Sequence, residues 1–444
     1  MASVILLCGC GQGSAAGTGS NAGAANSSSA ISEVSGSENS EGTDSKSNIK
    51  DSAGSKSSKS ESIDSNSATS DSATSDSADS EGTKSESDTS NNTADAPKIQ
   101  GLTCESAMDV EYATGFDVYY YDEGYKLIDI HDSAKYLLVP EGKTAPEGLD
   151  GEIIVLQQPL DKIYLAATSA MALFDAIDSL DSIRLTGTQS SGWYIDNAVN
   201  ALNDGTMLFA GKYSEPDYEM MIDENCNLAI ESTMILHVPK VQEMIETLGI
   251  PVFIDRSSYE SHPLGRTEWI KVYAAMMNKE EAADAFFDEQ AEVISELKDF
   301  KNTEKTVAFF YVSTDGSVVV RKSTDYIPKM IEIAGGRYAF EGVEDEESGQ
   351  SSVPMTMEEF YATAVDADYL VYNATIDNPI ASINDLLAKS GLFADFKAVK
   401  EGNVWTTGKY LYQATDVVGK LITDMHLMLT DGDTSQMTFL TKVE

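Results

Sequence analysis

Lys279-Glu280-Glu281-Ala282-Ala283-Asp284-Ala285-Phe286-Phe287-Asp288-Glu289-Gln290-Ala291-Glu292-Val293-Ile294-Ser295-Glu296-Leu297-Lys298-Asp299-Phe300 contains neither glycine nor proline, and it separates two halves that each alternate strand and helix signals. Ala283, Phe286, Phe287, Ile294 and Leu297 recur at steps of three and four, which places them on one face of a helix. Asn278 is the expected N-cap, and Glu280 and Glu281 fall in the first turn, where the helix dipole favours negative charge. At 1.5 Å per residue the helix would run about 33 Å. That is long enough for a stiff spine between two lobes.

On its N-terminal side, strands are expected at Lys162–Ala166, Leu228–Ile230 and Val252–Ile254, with a short strand or turn at Met207–Phe209. Between them come helices at Thr168–Ile177, Asp217–Ile222 and Val238–Leu248. On its C-terminal side, Val307–Val312 pairs through Asp315-Gly316 with Val318–Val320, and the helix Tyr326–Ala334 stops at Gly335-Gly336. Strands follow at Tyr369–Tyr372 and Val404–Thr406, and Ala414–Leu429 closes the chain as a helix. Alternation of this kind predicts parallel sheets covered by helices on both faces. Ahead of it lies a β-rich stretch in which Val118–Tyr121 and Tyr125–Ile130 flank the turn Asp122-Glu123-Gly124, with a further strand at Tyr136–Pro140.

The N-terminus reads as an address. Ser3–Leu7 is apolar, and Leu7-Cys8-Gly9-Cys10 resembles a bacterial lipobox, which makes Cys10 the residue expected to be acylated. Cys8 is an unusual residue in that motif, and the basic start of a signal peptide is missing. From Gly11 to Lys98 the chain is Ser-rich with Asp, Glu and Lys, and Ser67-Ala68-Thr69-Ser70-Asp71 recurs as Ser72-Ala73-Thr74-Ser75-Asp76. Such a segment buries too little apolar area to offset its chain entropy and is expected to be a disordered tether spanning about 50 Å. The tether holds 14 acids and 6 lysines, a net of −8, so −35 of the total −43 belongs to the folded part. The expected organisation is thus a signal segment 1–10, a linker 11–98, a β-rich extension 99–158, a first lobe 159–278, the helix 279–300 and a second lobe 301–444.

Four segments carry a resemblance: Pro159–Ser169, a strand running into a Ser/Thr turn; Leu248-Gly249-Ile250-Pro251-Val252-Phe253; Ile333-Ala334-Gly335-Gly336; and Phe396–Trp405, which ends in AVKEGNVW. In this order and spacing they resemble the periplasmic-binding family that serves iron–siderophore, haem and cobalamin ABC importers, over about residues 159–430. The resemblance implies an α/β fold of two Rossmann-like lobes joined by a single long backbone helix, here with the β-rich elaboration and the disordered linker ahead of it. It implies a solute-binding lipoprotein that delivers a metal chelate, foremost an iron(III)–siderophore, to an ABC permease in the membrane. Haem or a corrinoid stay open as ligands, as does a cell-surface binding or sensor role without transport. The chain is then expected as a monomer on the outer face of the bacterial cytoplasmic membrane. One acidic residue per lobe is expected to dock on permease arginines, best matched here by Glu219 and Glu358, with Glu359 a neighbouring register.

Ligands of α/β lobes bind at the carboxyl ends of strands. The loops there offer Trp193 and Tyr194, Arg256 and Tyr259, Arg321, and Tyr410 and Tyr412 as contacts for a flat anionic chelate, through stacking and charge-assisted donors. Each also has an ordinary structural use, as an edge cover or a surface strand residue. Other classes fit poorly. The acidity opposes nucleic acid, and GxSxG, HExxH and P-loop patterns are missing, so no catalytic residue and no cofactor are expected. His131, His237, His262 and His426 are scattered, so no protein metal site is expected, and His262 reads as a hydrogen-bonded loop residue. Cys104 and Cys226 are either free or paired.

Overall fold

The chain reverses at Asp122-Glu123-Gly124, where Glu123 and Gly124 both take positive φ (58° and 84°). Two consecutive left-handed residues match the twist of the strands they join. The structure, a computed structural model, describes residues 93–343 and 351–444; the signal segment with Cys10 and nearly all of the 11–98 linker lie outside the described residues. The extension is a five-stranded sheet: β1 (Cys104–Ala107), β2 (Phe116–Tyr121), β3 (Lys126–Ile130), β4 (Lys135–Val139) and β5 (Ile153–Gln157), in sequential order. It is antiparallel through β4, and β5 lies parallel to β4.

The first lobe runs β6 (Ile163–Leu165), α1 (Thr168–Ala176), β7 (Ile183–Thr186), α2 (Asp196–Asp204), β8 (Leu208–Phe209), a small hairpin of β9 (Gly211–Lys212) and β10 (Glu215–Pro216), α3 (Tyr218–Asp223), β11 (Leu228–Ser232), α4 (Pro239–Thr247) and β12 (Val252–Asp255). Its sheet is wholly parallel in the order β12-β11-β6-β7-β8. Period-2 alternation buries both faces. Ile163, Leu165, Leu228 and Ile230 pack with α1, whereas Tyr164, Leu185, Ala229 and Val252 pack under α3 and α4. Glu231 lies fully buried, and among the described residues its carboxyl has no hydrogen-bond partner. Burial alone pushes that carboxyl well above the usual carboxylate range.

Three helices leave this lobe: α5 (Pro263–Glu268), α6 (Ile270–Met277) and α7 (Glu280–Leu297). The long helix is therefore slightly shorter than 279–300. Asn278 is not its N-cap. It adopts the left-handed conformation (φ 56°, ψ 46°) that ends α6, and α7 starts from Lys279 without a side-chain cap. Asparagine tolerates that conformation better than other non-glycine residues, so the same residue type marks a stop here rather than a start.

The second lobe contains β13 (Thr306–Val312), β14 (Val318–Arg321), α8 (Tyr326–Ile333), β15 (Arg337–Tyr338), β16 (Ser352–Met355), α9 (Met357–Ala364), β17 (Tyr369–Tyr372), α10 (Ile383–Lys389), α11 (Lys397–Glu401), β18 (Val404–Thr407), α12 (Val418–Leu429) and β19 (Leu440–Lys442). Its sheet is mixed, in the order β16-β14-β13-β17-β18-β19, with β13, β17 and β18 parallel and β14 and β19 antiparallel to their neighbours; β15 pairs with the start of β13. The last helix begins at Val418 instead of Ala414, because Lys409–Gln413 forms a separate 3-10 turn and the carbonyl of Thr415 is taken by Thr267 Oγ1 at 2.8 Å.

The extension is fastened to the helices that join the lobes. Glu268, with no exposed surface, accepts the backbone N–H groups of Glu111, Tyr112 and Ala113 at 2.7–2.8 Å and lies 3.3 Å from Lys271 Nζ. Glu260, 4 % exposed, accepts from the N–H groups of Thr114 and Gly115 and from Trp269 Nε1 at 2.9–3.0 Å. Lys126 reaches Ala275 O, Asn278 Oδ1 and Glu280, while Tyr136 Oη donates to Val252 O at 3.1 Å. The 99–158 region thus braces the point where the chain leaves the first lobe. Cys104 and Cys226 are free thiols, on β1 and just before β11 respectively. Among the described residues no helix is long and apolar enough to cross a membrane.

Candidate functional site

Parallel strands present their carboxyl ends on one edge of each lobe, and the loops leaving those edges meet. The loop after β7 carries the turn Ser190–Gly192 followed by Trp193 and Tyr194; the loop after β18 carries Lys409–Gln413. Tyr194 is 44 % exposed, and its ring lies 6.4 Å from that of Tyr410 at an interplanar angle of 55°. Tyr410 donates to Thr438 O and packs 5.3 Å from Phe439. Tyr412 Oη accepts from Gln413 Nε2 at 2.9 Å. Burial raises the phenol pKa of both Tyr410 and Tyr412, which keeps them neutral hydrogen-bonding groups. The structure therefore brings together Tyr194, Tyr410 and Tyr412 from opposite lobes.

Trp193 belongs to the same loop but faces inward. It is 4 % exposed, and its Nε1 donates to Thr188 O at 3.1 Å, which pins the loop to its own lobe. Arg256 and Tyr259 follow β12 on the same edge, three strands and about 14 Å from the β7 loop at ordinary strand spacing. The Arg256 guanidinium lies 4.9 Å over the Tyr259 ring and donates to Asp132 O of the extension at 3.2 Å, leaving Tyr259 54 % exposed. Arg321 lies elsewhere. Because β14 runs antiparallel to β13, its end points away from the edge where the tyrosines meet, and Arg321 Nη1 donates to Ser351 Oγ at 2.9 Å. A hairpin partner reverses strand direction, so reading it as another parallel strand end misplaces this arginine.

Gln413 escapes the sequence reading by one position, since the aromatic run that draws attention ends at Tyr412. Its only signal is a polar residue next to two tyrosines. Beside Tyr412, a cavity of about 20 Å³ is bounded by Arg266, Tyr326 and Phe439, which is about the room one water needs. Arg266 of α5 stacks 4.0 Å over the Tyr326 ring of α8. A larger groove of about 660 Å³ follows α8 from His262 to Arg337. Its charges are mostly paired among themselves, Lys329 with Glu332 and Arg337 with Glu304 and Glu341. His262 Nδ1 caps α5 by accepting Leu264 N–H, and its ring stacks 4.6 Å from Tyr112. Among the described residues no three His, Cys, Asp or Glu side chains are grouped to hold a metal ion.

Just beyond the meeting loops, Asp416 is pushed up to about 6 by burial, with Asp175 of α1 adding to the shift and Lys420 opposing it. A carboxyl raised in the folded state contributes no penalty below its ordinary pKa of 3.8, and stability falls as pH rises through 6. Asp416→Asn is accordingly expected to stabilise the protein by about 1–2 kcal/mol at pH 7.5, allowing for its partly exposed setting, and to be neutral near pH 3.5. Urea midpoints at the two pH values check this; equal gains at both would assign the effect to something other than ionisation.

Glu219 and Glu358 occupy matching places. Each is exposed in the first turn of a helix whose N-cap side chain is already bonded, Asp217 for α3 and Thr356 for α9. Helix α3 follows β8 and its hairpin. Helix α9 follows β16, which runs in the same direction as β13 because both are antiparallel to β14. Both glutamates thus lie on the carboxyl-edge side of their lobes. Glu359 is committed to a capping box, its carboxylate accepting Thr356 N–H and Oγ1–H at 2.8 Å.

Against known proteins, the family model described as periplasmic binding protein matches residues 178–411. An uncharacterized lipoprotein of Methanocaldococcus jannaschii is 26 % identical over 353 residues, covering 71 % of this chain and 81 % of that one. A periplasmic binding protein of Veillonella parvula superposes with a TM-score of 0.49 at 14 % identity, covering 60 % of this chain and 90 % of its own. A periplasmic haem-binding protein of Vibrio cholerae gives 0.48 at 15 % identity, over 60 % of this chain and 97 % of its own.

Proposed function

The chain belongs to the periplasmic binding protein family, and we propose that it captures a metal chelate, foremost an iron(III)–siderophore, between its lobes and hands it to an ABC permease. The observation that carries this reading is the apposition of Tyr194 with Tyr410 and Tyr412 across the interlobe edge, with Arg256 and Tyr259 further along it. Aromatic faces with a cation farther along the same edge suit a flat, anionic, partly apolar ligand. Trp193 supports the site from behind by holding its loop, and it serves as a built-in fluorescent reporter next to Tyr194. Glu219 and Glu358 are the proposed docking carboxylates, one per lobe, giving orientation as well as on-rate toward permease cations. An acylated Cys10 and the Ser-rich tether would hold a monomer at the outer face of the cytoplasmic membrane.

The test is titration of the full chain with a ferric catecholate, a ferric hydroxamate, haem and cobalamin, followed by tryptophan quenching. Saturable one-to-one quenching by a ferric chelate is expected, weakened at least tenfold in Tyr194→Ala/Tyr410→Ala. Saturation by haem or cobalamin instead would reassign the ligand. Silence with all four would remove chelate transport as the function.

A further inference from the structure

The side chain of Gln413 is 1 % exposed and joins the lobes through a two-point contact. Its Oε1 accepts the backbone N–H of Tyr194 at 2.8 Å, and its Nε2 donates to the carbonyl of Gly192 at 2.7 Å. A side-chain amide here takes the place of a pairing strand, satisfying one donor and one acceptor that flank Trp193. Each partner is fixed on its own side. The 190–194 loop is held to the first lobe by Trp193 Nε1 on Thr188 O. The 409–415 segment is held to the second lobe by Tyr410 on Thr438 O, and to α5 by Thr267 Oγ1 on Thr415 O. Separating the loops therefore breaks the Gln413 pair before anything behind it. Parting the loops breaks both bonds and leaves the Gln413 amide with its own-lobe bond to Tyr412 Oη at 2.9 Å.

We infer that Gln413 is an interlobe latch: it keeps the tyrosine edge shut without ligand, and its release gates ligand entry. The gating half rests on the cleft reading above, whereas the latch itself can be read on the empty protein. Gln413 is a positioning residue in this account, acting through the loop that carries Tyr194.

The experiment is residue-resolved amide exchange on the full chain, comparing wild type with Gln413→Met, which keeps volume and loses both interlobe bonds along with the one to Tyr412 Oη, and Gln413→Glu, which keeps the acceptor and loses the donor. Protection of the Tyr194 amide is expected to fall about 10- to 100-fold in the methionine variant, with a smaller fall in the glutamate variant. Protection of the β7 amides, Ile183–Thr186, is expected to stay unchanged. Unaltered Tyr194 protection in Gln413→Met would overturn the latch, and so would equal loss across β7, which marks a general support. In stopped flow, association of whichever chelate saturates the wild type is expected to be faster in Gln413→Met. Equal association rates would overturn the gating half alone, and failure of every chelate to bind would sink the cleft reading while leaving the exchange result to decide the latch.

Discussion

Replacing Glu268 by alanine is expected to lower the unfolding free energy by about 3–5 kcal/mol, the usual cost of stripping the partner from a buried charged network. The carboxylate has no exposed surface and receives three consecutive backbone N–H groups, from Glu111 to Ala113, besides its contact with Lys271. Alanine leaves three part-buried donors without their acceptor, and leaves Lys271 with only the exposed Asp284 carboxylate, 3.6 Å away, as counter-charge. Lys271 keeps the Asp109 carbonyl at 2.9 Å but loses its buried counter-charge. Glutamine keeps one acceptor oxygen, so Glu268→Gln should lie between. The change in urea midpoint measures the effect, and amide exchange at 111–113 shows whether it arises where claimed. A loss below about 1 kcal/mol, within the range of an exposed ion pair, would show that the loop finds other acceptors and that the extension is not a brace.

That network is also where sequence reading stops. The Phe116–Ile130 hairpin is legible because its turn demands positive φ and its strands alternate, both local signals. Much of the parallel core of the first lobe is legible for the same reason: short apolar runs separated by helices have few other ways to bury both faces. The exceptions are β7 and α2, which flank the Tyr194 loop; Ile183-Arg184-Leu185-Thr186 is short and interrupted by a charge, and α2 is mostly polar. Nothing local marks Glu268 as the acceptor for amides that precede it by 155–157 residues. The 99–158 region accordingly reads as an unassigned elaboration until its partners are seen. Asn278 fails differently. Its residue type suits both ends of a helix, and only the existence of α6 directly before it decides between them. At the site, Tyr194, Tyr410 and Tyr412 follow from the rule that loops after strands meet ligands. Arg321 follows from the same rule applied to a strand that runs the other way. Gln413 is invisible because its role depends on backbone groups of the opposite lobe.

Reversing charge at both Glu219 and Glu358 is expected to abolish uptake, with permease association weakened about 100-fold or more, while chelate affinity stays within twofold of wild type. The two carboxylates sit in the first turns of α3 and α9, exposed on the carboxyl-edge side of separate lobes, so their separation changes with lobe geometry. A single reversal should lose less than half of the effect in logarithmic terms if both contacts orient one footprint. Lysine at these positions also opposes the helix dipole at about 0.3–1 kcal/mol each, a stability cost that must be separated from docking. Glu219→Gln/Glu358→Gln removes the charge with half that penalty and should still lose most of the uptake. Glu359 supplies the internal control. Its carboxylate is spent on the Thr356 cap, so Glu359→Ala should cost about 1 kcal/mol of stability and leave permease association intact. Were the Glu359 variant to lose uptake as severely as the double reversal, the docking register would lie one residue along α9. Were chelate affinity to fall with uptake in the double reversal, the two glutamates would be holding the lobes and not the permease.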